Sequence, residues 1–79
     1  MARVTVYFAQ DCSLCEPVRE QLARLRAELA FELEEVEITG VPELERRHRE
    51  WLPVVEIDGE RAFVYRLEEE ELRRRLAAA

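Results

Sequence analysis

The sequence has no lysine and no asparagine, a single histidine, two cysteines, and no apolar run approaching the roughly 18 residues of a membrane-spanning helix. Each shortage removes a class of function. Without such a run there is no transmembrane segment, and the opening MARVTVYFAQD lacks the longer apolar core and small-residue cleavage site of a secretory signal. These features predict a cytoplasmic protein with no membrane partner. Two cysteines and His48, which sits in the charged segment ERRHRE, cannot supply the four ligands of a structural zinc. Cys12 and Cys15 would close a loop too short to restrict the unfolded chain much, so a purely structural disulfide is their weakest role in a reducing compartment. An excess of basic charge is missing too: 12 arginines face 18 acidic residues, for a net charge of -6. That balance lacks the basic footprint that nucleic acid or an anionic membrane requires. Repeats and linkers are absent, and the only low-complexity stretch is the terminal run of alanines.

What remains is a chain of 79 residues, 48% hydrophobic and 38% charged, which suits one small domain spanning residues 1–79 with little room for disordered polar segments. All the basic residues are arginine and nearly all the acids glutamate, a pairing that favours surface ion-pair networks and few thermolabile amides. A heat-adapted source and a genomic base-composition bias account for it equally well. A monomer is expected.

Val4, Val6 and Phe8 alternate with Thr5 and Tyr7, which predicts a first strand. From Val18 the apolar residues Leu22, Leu25 and Leu29 follow at helical intervals and predict a first helix. Its start is ambiguous. Pro17 belongs in a first turn, whereas SLCE fits a capping box with Ser13 as N-cap and Glu16 three residues on. In FELEEVEITG the apolar phase slips between Leu33 and Val36, predicting a strand with a bulge or a late start. Pro42 opens PELERRHREW, a short surface helix anchored by Leu44 and Trp51, with His48 as a solvated position and Trp51 as a core anchor or a lip near Pro53. VVEIDGERAFVYR is a hairpin around Asp58-Gly59, and LEEEELRRRLAAA is a final helix burying Leu67, Leu72 and Leu76. Tyr7, Phe8, Phe31, Phe63 and Tyr65 are expected to pack the sheet. The order β-α-β-α-β-β-α predicts an α/β fold with a mixed four-stranded sheet and helices packed on it.

This order, with VYFAQDCSLC after the first strand and LPVVEIDG before the hairpin, resembles the glutaredoxin-like family of small thioredoxin-fold proteins over almost the whole chain. The resemblance implies a thiol-disulfide oxidoreductase. It further implies that Pro53, in a cis bond after Leu52, sits opposite the cysteines, so that Leu52, Pro53 and Val54 meet the substrate chain.

Cysteines at i and i+3 across a first helical turn can bring their sulfurs to bonding distance. Cys12, nearer the loop and close to the unpaired amides of the helix start, is the candidate nucleophile, and Cys15 the resolving thiol. Asp11 and Glu16 oppose a thiolate, with Arg19 as the offsetting cation, which predicts a reducing couple closer to thioredoxin than to its oxidising relatives.

No resident cofactor is expected. Partners are a disulfide-containing protein or small thiol and an electron donor that the residues do not identify. Glutathione is disfavoured: Ala9 stands where many glutaredoxins carry a lysine for its carboxylate, and Glu68 to Glu71 occupy the segment where a Gly-Gly turn and an Asp commonly bind it. Cu(I) carriage by the two thiolates competes on ligand softness. Small copper carriers, however, run β-α-β-β-α-β and place a Met where Gln10 stands. A non-catalytic module that senses redox state or binds a soft metal is the alternative.

Overall fold

The computed structural model describes residues 1–78; Ala79, the last residue of the expected domain, lies outside the described residues. The elements are β1 (Arg3–Phe8), α1 (Cys15–Glu28), β2 (Glu32–Glu37), α2 (Pro42–His48), a 3-10 turn (Arg49–Trp51), β3 (Val54–Ile57), β4 (Glu60–Val64) and α3 (Glu69–Ala78). This is the expected order, with the sheet arranged β2-β1-β3-β4. β1 runs parallel to β2 and antiparallel to β3, and β3 and β4 form the hairpin.

Alternation along β1 divides the sheet into two unlike faces. Val4 and Val6, fully buried, meet Val18, Leu22 and Leu25 of α1, Val55 and Phe63 of the hairpin, and Leu67 and Leu72 around the start of α3. At about 25 cal/mol per Å² of apolar surface, this cluster is the main favourable contribution to folding. Thr5 and Tyr7 point to the opposite face, where the Tyr7 ring stacks on His48 of α2 at 4.0 Å between centroids.

Two faces explain the slip in β2, and no bulge is present there: β2 pairs with β1 residue for residue from Arg3↔Glu32 to Phe8↔Glu37. Leu33 joins the α1–α3 core, whereas Val36, opposite Tyr7, takes the α2 face. The sheet's irregularity lies instead between Val55 and Glu56, on the hairpin. Asp58 and Gly59 both have positive φ, 51° and 86°, as a tight hairpin turn demands.

Two alternatives left open, the start of α1 and the place of Trp51, are settled, and two expectations, for His48 and Tyr65, are corrected. α1 begins at Cys15 after Leu14, with no side-chain cap, so Ser13 forms no capping box and Glu16 bonds Arg19 instead. Pro17 is tolerated because the first turn has no intrahelical acceptor for the amide it lacks. His48 is 1% exposed and not solvated, because α2 turns that side of the helix onto Tyr7. Trp51, 40% exposed, is a lip and not a core anchor. Tyr65 lies beyond β4 with φ 71° and is exposed, its hydroxyl donating to the Glu50 carbonyl at 3.1 Å.

Candidate functional site

The site is built where β1 ends. After Phe8 the chain leaves the sheet and turns twice, Cys12 N donating to the Ala9 carbonyl at 3.3 Å and Cys15 N to the Cys12 carbonyl at 3.2 Å. The second turn leads directly into α1, so Cys12 lies in the loop and Cys15 at the first helical position. Their Cα atoms are 5.4 Å apart, within the usual disulfide range, and the sulfurs are bonded.

The two cysteines differ sharply in exposure. Cys15 is 1% exposed, packed in a cluster with Ala9, Ile38 and Leu52, while Cys12 is partly exposed at its margin. Leu52, two residues before β3, thus packs with the cysteines. Pro53 and Val54 follow it and are fully buried; the Leu52–Pro53 peptide bond is cis, and the Pro53 carbonyl accepts from Tyr65 N at 3.0 Å. Tyr65 in turn lies 6.1 Å from Trp51 between ring centroids, so two exposed aromatic rings stand beside the Pro53 turn.

The charges around the cysteines are paired more fully than their order in the chain indicates. Arg19 does not act as a free cation facing the dithiol: it binds Glu35 at 2.7 Å and Glu16 at 2.8 Å, and its guanidinium lies 3.9 Å from the centre of the Phe8 ring. The glutamates hold its charge on that side. Asp11, expected to be offset by Arg19, is bound instead by Arg49 at 3.0 Å. This contact, with its hydrogen bonds, holds the Asp11 carboxyl below its usual range. Arg49 also binds Glu45 at 2.9 Å, and the second Glu45 oxygen accepts from Gly40 N at 2.9 Å. Two arginines are therefore shared among four carboxylates, and the surroundings of the pair stay net negative.

Arg49 and His48 were not legible as site-related residues. The Glu45–Arg49 spacing marked a helical ion pair, but the Asp11 contact joins positions 38 apart in the chain. His48 lies four residues after the half-buried Leu44, a spacing that puts both on one helix face and was the available signal. Its Nε2 is buried without a partner, and burial, with Arg47 and Arg61 nearby, holds its pKa below the usual 6.5. Among the described residues no group of three or more His, Cys, Asp or Glu side chains is placed to hold a metal, and no helix is long and apolar enough to cross a membrane.

Comparison with known proteins agrees with this architecture. A protein from Nitrosomonas europaea, solved by NMR, superposes with a TM-score of 0.78 at 26% identity, over 94% of this chain and 89% of that one. An X-ray structure of a protein from X. campestris gives 0.75 at 30% identity, over 96% and 97%. Fasciola hepatica thioredoxin gives 0.66 at 21% identity, over 98% and 79%, which establishes the thioredoxin-like fold. In sequence, an uncharacterized protein of Mycobacterium tuberculosis is 35% identical over 71 residues, covering 84% of this chain and 73% of the relative. The family described as Glutaredoxin-like domain (DUF836) matches residues 3–77, and this chain belongs to it.

Proposed function

We infer that the protein is a small thiol-disulfide oxidoreductase in which Cys12 attacks and Cys15 resolves. The observation that carries this reading is the unequal exposure of two bonded cysteines at the junction of a loop and a helix. In the reduced protein the Cys12 thiolate attacks one sulfur of a substrate disulfide. A Cys12–substrate bond forms, and the other substrate sulfur leaves as thiolate and takes a proton. The Cys15 thiolate, one turn away and shielded from solvent, then attacks the Cys12 sulfur. This regenerates the Cys12–Cys15 disulfide and releases the second substrate thiol. Two electrons pass to the substrate, and a thiol reductant returns them in a later cycle. The sulfurs carry the electrons, so the reaction uses no further cofactor.

The substrate approaches Cys12 across Leu52 and the Pro53 turn, meeting main chain there because the Pro53 and Val54 side chains are buried. Trp51 and Tyr65 offer apolar contact beside it, which suits a disulfide in a protein better than a bare anionic tripeptide. A thiol donor of protein type is accordingly favoured over glutathione, and a reducing compartment such as the cytoplasm suits the couple.

Catalysed reduction of a mixed-disulfide substrate, followed with a regenerating thiol reductant, tests the assignment. Cys12→Ser is expected to abolish turnover. Cys15→Ser should keep the first step, trapping or slowly releasing the mixed disulfide. Equal activity in the parent and both variants would contradict the assignment and favour a module whose cysteine pair only senses redox state or binds a soft metal.

A further inference from the structure

Asp11 immediately precedes Cys12, so the placement of its carboxylate bears on the charge of that sulfur more directly than any residue outside the cysteine loop. Arg49 grips it from the 3-10 turn, one Nη1 group reaching both oxygens at 3.0 and 3.3 Å. The guanidinium is itself fixed. Its Nε and Nη2 donate to one oxygen of Glu45 at 3.2 and 2.9 Å, and the other Glu45 oxygen is tied to the Gly40 amide at 2.9 Å. A continuous polar chain therefore runs from the loop after β2, through α2, to the residue before Cys12. It joins the cysteine loop to the segment that leads into Leu52 and Pro53.

Exposed ion pairs contribute little to stability. The Asp11 side chain is 74% exposed and that of Arg49 38%, so fold stability does not account for three elements converging on this contact. The remaining charged groups bordering the cysteines are placed otherwise. Glu16 and Glu35 bind Arg19, and Glu37 at the end of β2 lies along the same groove as Glu16 and Arg19. His48 is buried against Tyr7. Arg49 is the cation that meets the carboxylate next to the partly exposed Cys12.

We propose that Arg49 is a positioning residue for the dithiol, acting through Asp11: it draws that carboxylate onto the 3-10 turn and offsets its charge, so that the Cys12 thiolate forms more readily. This rests on Cys12 being the attacking sulfur. In the absence of Arg49 the Asp11 carboxylate is free to swing beside Cys12 with its charge unopposed, and like charges disfavour the thiolate.

The test is the ultraviolet thiolate absorbance of Cys12 against pH in a Cys15→Ser background, where it is the single thiol. Arg49→Gln is expected to raise the Cys12 pKa by about half a unit, the scale of one charge acting across solvent at short range. With Asp11→Asn also present, the same change should shift it markedly less. Arg49→Lys, measured in both backgrounds, reads the same coupling if the glutamine variant folds poorly: a smaller upward shift that disappears without Asp11. An unmoved Cys12 pKa would overturn the proposal. So would a shift of equal size with and without Asp11, which would make Arg49 an independent charge. The titration requires no turnover, so loss of the oxidoreductase assignment and loss of this proposal are separate results.

Discussion

His48 shows how a single residue can escape composition and pattern. Surrounded in the chain by Arg46, Arg47, Arg49 and Glu50, it reads as solvated, yet its ring is buried against Tyr7 and its Nε2 has no partner. The chain neighbours of a helical residue lie on other sides of the helix, so they say little about the face it occupies. Burial depresses the folded-state pKa of His48, so below the ordinary value of 6.5 the unfolded chain binds a proton that the folded chain refuses. Stability must then fall as pH drops through that value toward the lowered folded one. A melting temperature that declines between about pH 7 and pH 5 is expected. His48→Phe, which keeps a ring on Tyr7, should flatten that decline, and thermal melts across this range check it. The carboxyls of Asp11, Glu45, Glu69 and Glu71 are likewise lowered, by their hydrogen bonds and cationic partners, but they act at more acidic pH. The two cysteines, in contrast, were legible because their chemistry depends on spacing within one helical turn. The Asp11–Arg49 and Arg19–Glu35 contacts were not, because each joins residues of different elements.

At the scale of the element, turns and periodicities carried the most information. The Asp-Gly pair fixed the hairpin, and the helical spacing of Val18, Leu22 and Leu25 fixed the buried stripe of α1. Gly59 has φ 86° and open space around the position of a Cβ, so Gly59→Ala meets backbone strain without a clash. A loss of about 1 kcal/mol in chemical denaturation is expected. Leu22 is fully buried between α1 and the sheet, and Leu22→Ala should cost roughly 2–5 kcal/mol by the same measurement. The β2 pattern misled because this edge strand half-buries an apolar residue on each face, Leu33 opposite Val4 and Val36 opposite Tyr7. The start of α1 could not be read because the cysteine loop supplies its own turns, leaving Ser13 no capping role.

Across the whole molecule, the arginine and glutamate excess is divided between ion pairs within single helices and pairs that join elements. Arg24 and Gln21 of α1 meet Glu69 of α3, and Arg73 of α3 binds Glu28 of α1 at 2.9 Å. Exposed pairs are weak individually and screened by salt, so 1 M sodium chloride should lower the melting temperature by only a few degrees, about the size of a 1 kcal/mol effect. A large drop would assign these networks more of the stability than the apolar core. The fold as a whole was legible because strand, helix and turn signals agreed on one element order; the composition also pointed to surface ion-pair networks, but the pairs that join elements were not legible, since their partners are distant in the chain.

The central claim is that Cys12 and Cys15 interconvert reversibly between dithiol and disulfide, and equilibrium titration of both thiols against a redox buffer of known potential tests it most directly. With four carboxylates sharing two arginines around the pair, one two-electron transition is expected in the reducing range, nearer thioredoxin at about -270 mV than DsbA at about -120 mV. Thiols that stay fixed in one state across the accessible range, or a strongly oxidising midpoint, would contradict the account.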